Sequence, residues 1–214
     1  MGVSGEAPTR AQMSTDRFGR NDADDRFMVA AAKLGFDLEL HQEASGANVL
    51  SLPDREATWG RRLFERAVGG FYEVVLGAQG WRVLCGGTMG WQIEQKTAGI
   101  DKILPTMRTD VVLDHPSSGQ RIVIDTKFTS IVTSGWYREE TLRSGYVCLL
   151  YAYLRSQVGC GDALADHASG LLLHPAIGQM VDETVLIQGH AIRFATVDLT
   201  ATPADIRAQL LRLC

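Results

Sequence analysis

Two acids and a lysine are the residues of this sequence best placed to do chemistry. Asp125 and Lys127 belong to the segment RIVIDTKF (121–128), and Asp110 belongs to MRTDVVLD (107–114); both segments have the composition of strands. Side chains alternate across a strand, so Asp125 and Lys127 share one face. The spacing therefore predicts an acid and an amine side by side, and the alternative interpretation is a solvated surface ion pair that stabilises little.

The length of the loop between these segments predicts that a second acid joins the first. If the six residues 115–120 form a symmetric turn, the numbers of opposed residues add up to 235, which places Asp110 opposite Asp125. Opposed residues of an antiparallel pair have Cβ atoms about 5 Å apart, and like charges there are destabilising. A divalent cation with oxygen ligands would offset that repulsion, and the backbone carbonyl of Thr126 is a candidate further ligand.

This constellation has the parts needed to cleave a phosphodiester bond. A bound cation would polarise the phosphoryl group, and Lys127 would orient the attacking water and stabilise charge in the transition state. Glu65, on a predicted helix, is a candidate third carboxylate, with an exposed helix glutamate as the alternative. Arg108, Arg138 and Arg143 flank the site as candidate phosphate contacts, with solvated surface positions as the alternative.

The elements that must position these residues alternate between helical and strand patterns. The composition of residues 1–20 predicts a poorly ordered tail. Residues 21–54 are predicted to form an N-terminal helical segment, with a helix over 21–36. In chain order, the remaining predictions are a helix over 55–76, strands at 81–85, 91–95, 107–114 and 121–128, a helix over 141–157, a strand at 171–174, a hairpin over 184–197 and a helix over 203–213. Together they predict a mixed sheet flanked by helices, α/β or α+β.

Two predicted helix aromatics, Tyr146 and Tyr153, are interpreted as core residues rather than base-stacking platforms. His115 lies in the predicted hairpin turn, where nothing indicates a general base, and His174 and His190 are likewise interpreted as structural residues. The sequence has no Ser-His-Asp order.

Composition limits the class of protein. A hydrophobic fraction of 45% and a charged fraction of 21% are typical of a globular chain. No apolar run approaches the ~18 residues of a membrane span, and the first residues lack the features of a secretion signal. The four scattered cysteines predict ordinary thiols in a cytoplasmic chain.

The net charge of −4 argues against a protein that grips DNA by itself, since such binding depends on phosphate neutralisation. It is compatible with a nuclease that another subunit brings to its substrate.

Several segments, taken in order from about residue 55 to the end, resemble the nuclease part of the McrC subunit of methylcytosine-dependent (McrBC-type) restriction systems. They are LFERAVGGFYE (63–73), GWRV (80–83), LPTMRTDVVL (104–113), RIVIDTKFT (121–129), LRSGYVCLLYAYLRS (142–156), LLLHP (171–175) and IRFATVDL (192–199).

The resemblance implies an α/β domain over 55–214 with the PD-(D/E)XK restriction-endonuclease-like fold, a mixed central sheet flanked by helices. Asp110 falls on the first acid of the family, Asp125 and Lys127 on its D-x-K pair, and Glu65 on the helix acid that assists metal binding. It further implies Mg²⁺, with Mn²⁺ as a substitute, and products with 5′-phosphate and 3′-hydroxyl ends.

The implied partners are DNA carrying 5-methylcytosine and a McrB-like AAA+ GTPase that reads the modified DNA and translocates it. No membrane partner is expected. Cutting both strands would need two active sites, as in a dimer, or two events.

The sequence departs from the family at two places. Related sequences carry Tyr-Gln where Cys148 and Leu149 stand here, so the polar Gln that would approach the site is replaced by Leu149. The family also has a longer N-terminal region that engages the GTPase. These departures favour an alternative, a weakened or inactive nuclease-fold subunit with an assembly or regulatory role, whereas the retained acids and lysine favour the enzyme.

Overall fold

A computed structural model describes residues 54–133 and 140–214 of the chain. The predicted tail over 1–20, nearly all of the predicted N-terminal helical segment over 21–54, and Arg138 lie outside these ranges.

A 23-residue helix, α1 (Asp54–Leu76), opens the described fold and confirms the helix predicted over 55–76. Phe64 and Tyr72 recur on one stripe of the helix and are buried. Gly69, between them, is needed for close packing, because a Cβ at this position would lie 2.6 Å from the Cys85 Sγ.

The elements after α1 alternate between strands and helices. In chain order they are β1 (Arg82–Cys85), β2 (Thr88–Met89), β3 (Met107–Arg108), β4 (Val111–His115), β5 (Gln120–Thr126), β6 (Val132–Thr133), β7 (Thr141–Leu142), α2 (Ser144–Arg155), α3 (Ala163–Asp166), β8 (Ser169–Pro175), β9 (Asp182–Ile187), β10 (His190–Val197) and α4 (Pro203–Leu211). Short 3-10 turns lie at Gly77–Gln79 and Ile100–Lys102.

Six strands form the central sheet, in the order β1-β4-β5-β8-β10-β9. β4 is antiparallel to both β1 and β5, β8 is parallel to β5 and β10, and β9 closes the sheet in antiparallel orientation. The strand pairs β2–β3 and β6–β7 form two small antiparallel sheets beside it. The predicted mixed α/β sheet flanked by helices is confirmed.

Both faces of the sheet are covered. α1 and α4 pack on one face, where Ile122 and Ile124 of β5 lie in a core with Phe64 and Leu210. α2 packs on the other face, which carries Val123. The face that carries Ile122 and Ile124 is therefore part of the core, and the face that carries Asp125 is buried as well.

Two predicted strands differ from the structure. The strand predicted at 91–95 is wrong: Trp91 Nε1 donates to the Pro105 carbonyl and Gln92 Nε2 to the Ser156 carbonyl, so side chains fix a loop in place of a strand ladder. The strand predicted at 107–114 is interrupted at Thr109 and Asp110, where the chain passes from the β2–β3 pair to the central sheet.

The other strands and helices predicted within the described residues occur near their predicted positions, whereas β2, β6, β7 and α3 were not predicted. The helix predicted over 141–157 is shorter, because Thr141 and Leu142 pair with β6 before α2 begins. The predicted hairpin is formed by β9 and β10 around Gln188 and Gly189. All four cysteines are free thiols, as predicted. Among the residues described, no helix is both long and apolar enough to cross a membrane.

Candidate metal centre

The β4–β5 hairpin has the predicted register. Its pairs run from Val111 opposite Ile124 to His115 opposite Gln120, and the numbers of each pair add up to 235. Asp110 directly precedes the first pair, and Asp125 follows Ile124 in β5. The hairpin therefore brings both acids to its open end.

Asp110 is held by both its backbone and its side chain. The backbone N–H and the hydroxyl of Thr126 each donate to Asp110 Oδ2 over 2.7 Å. The Gly86 N–H donates to the Asp110 carbonyl over 2.8 Å. Gly86 has a φ of 67°, and a Cβ there would lie 3.0 Å from an Arg108 guanidinium nitrogen, so the glycine is needed for this approach.

Thr126 thus has a role that the sequence did not reveal. Its carbonyl was the predicted contribution, whereas the contacts seen in the structure come from its N–H and hydroxyl. Two hydrogen bonds, one from a backbone N–H and one from a hydroxyl, fix the orientation of the Asp110 carboxylate.

Asp125 is a buried acid whose charge is poorly compensated. Its side chain is 3% exposed, and Lys127 Nζ lies 2.6 Å from its Oδ2. This contact is an ion pair without hydrogen-bond alignment, and within the described ranges Oδ2 has no aligned hydrogen-bond donor. Burial raises the Asp125 pKa to about 6; the charges of Asp110 and Glu65 raise it too, while Lys127 opposes them.

Glu65 lies on α1, on the side of the sheet opposite α2, and is half-buried. Its pKa is raised, first by partial burial and then by the charge of Asp110, against the lowering effect of Arg108, Arg66 and Lys127. The helix acid and the hairpin acids therefore belong to one electrostatic group.

Two tyrosines of α2 border this group. The Tyr146 ring centroid lies 5.2 Å from Lys127 Nζ. Tyr153 is buried, and its pKa is raised to about 12 by burial and then by the charges of Asp125 and Asp110. Both pack in the core beneath α2, as predicted. Tyr153 also lies near the acids, and Tyr146 lies near the lysine.

Two of the three predicted phosphate contacts, Arg108 and Arg143, lie within the described residues. Arg108 is exposed and lies over Gly86, and Arg143 is exposed just before α2. Arg138 falls outside the described residues. Leu149, at the position where the resemblance implies Gln, is 37% exposed.

The donor set fits a hard divalent cation in its chemistry. Carboxylate oxygens are the ligands that Mg²⁺ prefers, and the buried Asp125 Oδ2 is an oxygen that a cation would satisfy. Over residues 54–133 and 140–214, however, no three His, Cys, Asp or Glu side chains are gathered in a geometry that could hold a metal ion. Holding an ion with Asp110, Asp125 and Glu65 together would require side-chain rearrangement.

No protein-family model matches the chain, and no curated protein matches it.

Proposed function

We propose that the chain is the Mg²⁺-dependent DNA endonuclease subunit of a McrBC-like, modification-dependent restriction system, with a PD-(D/E)XK fold. The observation that carries the proposal is the open end of the β4–β5 hairpin. There, the buried Asp125 lies against Lys127, and Thr126 holds Asp110 beside them.

Each residue of this group has a part in the proposed reaction. Asp110, Asp125 and Glu65 would hold the ion, which supplies positive charge that polarises the phosphoryl group. Lys127 would orient a water molecule and stabilise negative charge on the phosphoryl oxygens. The water oxygen would bond to phosphorus and release a proton to solvent, while the bond from phosphorus to the 3′ oxygen would break. That oxygen would take a proton from solvent and leave as a 3′-hydroxyl.

A partner that delivers DNA is part of the proposal. The net charge of −4 supplies little of the phosphate neutralisation that autonomous DNA binding depends on. A McrB-like AAA+ GTPase that recognises 5-methylcytosine and translocates the DNA would provide the missing binding, and two copies of the chain would cut both strands.

Replacement of the acid and the amine tests the activity. With Mg²⁺, the partner GTPase and methylated DNA, we expect Asp125→Ala and Lys127→Ala each to lower the cleavage rate by at least about 100-fold. Asp101→Ala is the matched control, because Asp101 forms an exposed ion pair with Lys96 in a loop. Cleavage at the wild-type rate by both site variants would refute the proposal.

One observation favours a second candidate, an inactive nuclease-fold subunit with an assembly or regulatory role. Asp110 Oδ2 already accepts two hydrogen bonds from Thr126, and Asp125 already has an ion-pair partner in Lys127, so both acids have partners without a metal ion. This candidate predicts wild-type cleavage by the assembled system when Asp125 is replaced, and no binding of Mn²⁺ by the chain.

A further inference from the structure

The Lys127 ammonium has two close neighbours of different chemistry. Asp125 Oδ2 lies 2.6 Å from Nζ, and the centroid of the Tyr146 ring lies 5.2 Å from it. The lysine side chain is 17% exposed, so most of it is buried while some of its surface still reaches solvent.

An aromatic ring acts on an ammonium group differently from a second carboxylate. A cation within about 6 Å of a ring centroid is attracted by the negative face of the ring. An ammonium group has three N–H donors. The ring attracts its charge without adding a further anion, so donors not directed at Asp125 remain for a substrate oxygen or a water molecule.

Tyr146 is itself fixed in place. It lies in the first turn of α2, where its N–H donates to the Arg143 carbonyl over 3.0 Å. Its ring packs against the His174 ring, with centroids 6.1 Å apart and planes tilted by 45°. His174 belongs to β8, so the ring is held between a helix and the sheet.

His174 is well suited to support this ring, because it is buried and uncharged. Its Nδ1 donates to the Thr129 carbonyl over 2.7 Å, which anchors the chain two residues after Lys127. Burial lowers the His174 pKa to about 4, and the charges of Lys127 and Arg143 lower it as well. A neutral imidazole adds no repulsive charge near the lysine.

We propose that Tyr146 is a positioning residue, whose ring holds the Lys127 ammonium beside Asp125 with donors free for the scissile phosphate. His174 acts through Tyr146 by holding the ring in place. This inference rests on the proposed nuclease function, to which it adds the group that aims the lysine.

A matched pair of variants separates the ring from the rest of the side chain. Tyr146→Phe keeps the aromatic face, and we expect its kcat to stay within about threefold of wild type. Tyr146→Leu keeps an apolar side chain without the face, and we expect kcat to fall about 3- to 30-fold with an unchanged KM for DNA. Tyr146→Met replaces the leucine variant if that variant has a lowered melting temperature.

An NMR measurement tests the same geometry without nuclease activity. The sequence has four lysines, so ¹³C-labelled lysine gives few ε-methylene signals, and Lys127→Arg assigns one of them. We expect the Lys127 ε protons to be shifted upfield by the Tyr146 ring in the wild type and in Tyr146→Phe, and to lose that shift in Tyr146→Leu.

The two measurements distinguish failure of this inference from failure of the nuclease proposal. An unshifted Lys127 signal in the wild type, or a Tyr146→Leu variant with wild-type kcat, overturns the positioning role. A rise in KM alone assigns Tyr146 to DNA binding and also overturns it. If the wild-type system cleaves no DNA, the nuclease proposal and the catalytic part of this inference both fall, while the NMR result still establishes where the ammonium lies.

Discussion

The two ends of the β4–β5 hairpin carry ionic groups of opposite character. At the turn end, Arg121 donates to both oxygens of Asp114 over 2.7 and 2.8 Å and to Asp162 over 2.7 Å. At the open end, Asp110, Asp125 and Glu65 lie around Lys127, and only Asp125 is in contact with its ammonium. At the turn end the charges are paired by hydrogen bonds, whereas at the open end a buried acid keeps a raised pKa.

The pKa values express the same difference. Burial acts to raise the Asp162 pKa, but hydrogen bonds from Arg121 and the Leu164 N–H outweigh it, and the net pKa is lowered. Burial raises the Asp125 pKa to about 6, and the nearby ammonium does not reverse this. An environment that stabilises the charged form of its carboxylates, as at the turn end, stabilises the fold. An environment that destabilises a charged carboxylate, as around Asp125, is suited to binding a cation.

The largest effect on stability is expected from replacement at the turn end. Arg121→Met leaves Asp114 without its partner in a partly buried site, so the free energy of unfolding should fall by about 2–3 kcal/mol. Urea denaturation measures this. Cleavage per folded molecule should stay at the wild-type level. If Arg121→Met lost cleavage while its free energy of unfolding was unchanged, the turn end would have a catalytic rather than a stabilising role.

The second effect is a dependence of stability on pH at the open end. The folded-state pKa of Asp125 is about 6, above an unfolded value of about 3.9, so folded protein binds the proton more tightly. The stabilising contribution of this group is full below about pH 4 and is lost as the pH rises through 6. It amounts to about 1–3 kcal/mol.

The measurement is the free energy of unfolding in chelator at pH 5 and pH 7.5, for the wild type and Asp125→Asn. Protonation of Asp125 should favour the wild type at pH 5, and this part of the pH dependence should be absent in the variant. If the free energy of unfolding depended on pH identically in the two proteins, the pKa of Asp125 would not be raised by folding.

A smaller effect is expected at Thr126. Thr126→Val removes the hydroxyl that donates to Asp110 Oδ2 but keeps the N–H bond, so we expect affinity for Mn²⁺ to fall about tenfold. Thr126→Ser retains a hydroxyl and should remain within about threefold of wild type. Equal affinities of the valine and serine variants would show that the hydroxyl does not orient the acid.

The sequence predicted the part of the site that depends on local geometry. The length of the 115–120 loop is enough to fix the hairpin register, and strand alternation places Asp125 and Lys127 on one face. Two features depended on distant residues. At the break in the strand at Thr109 and Asp110, the Asp110 carbonyl accepts a hydrogen bond from Gly86, which is distant in sequence. The ring beside Lys127 belongs to Tyr146 of α2, which tertiary packing brings to the hairpin.

The wrong strand at 91–95 has a similar cause. Its alternating residues suggest a strand, but Gln92 binds carbonyls at Ser156 and Val158, beyond the end of α2. These contacts are long-range, so no pattern within the segment could indicate them.

Calorimetric titration of Mn²⁺ into the metal-free chain tests the central claim, that the open end of the hairpin is a metal centre. We predict a binding signal in the wild type that is retained in Arg121→Met and lost in both Asp110→Ala and Asp125→Asn. Absence of a signal in the wild type, or a signal unchanged in both acid variants, would contradict the account.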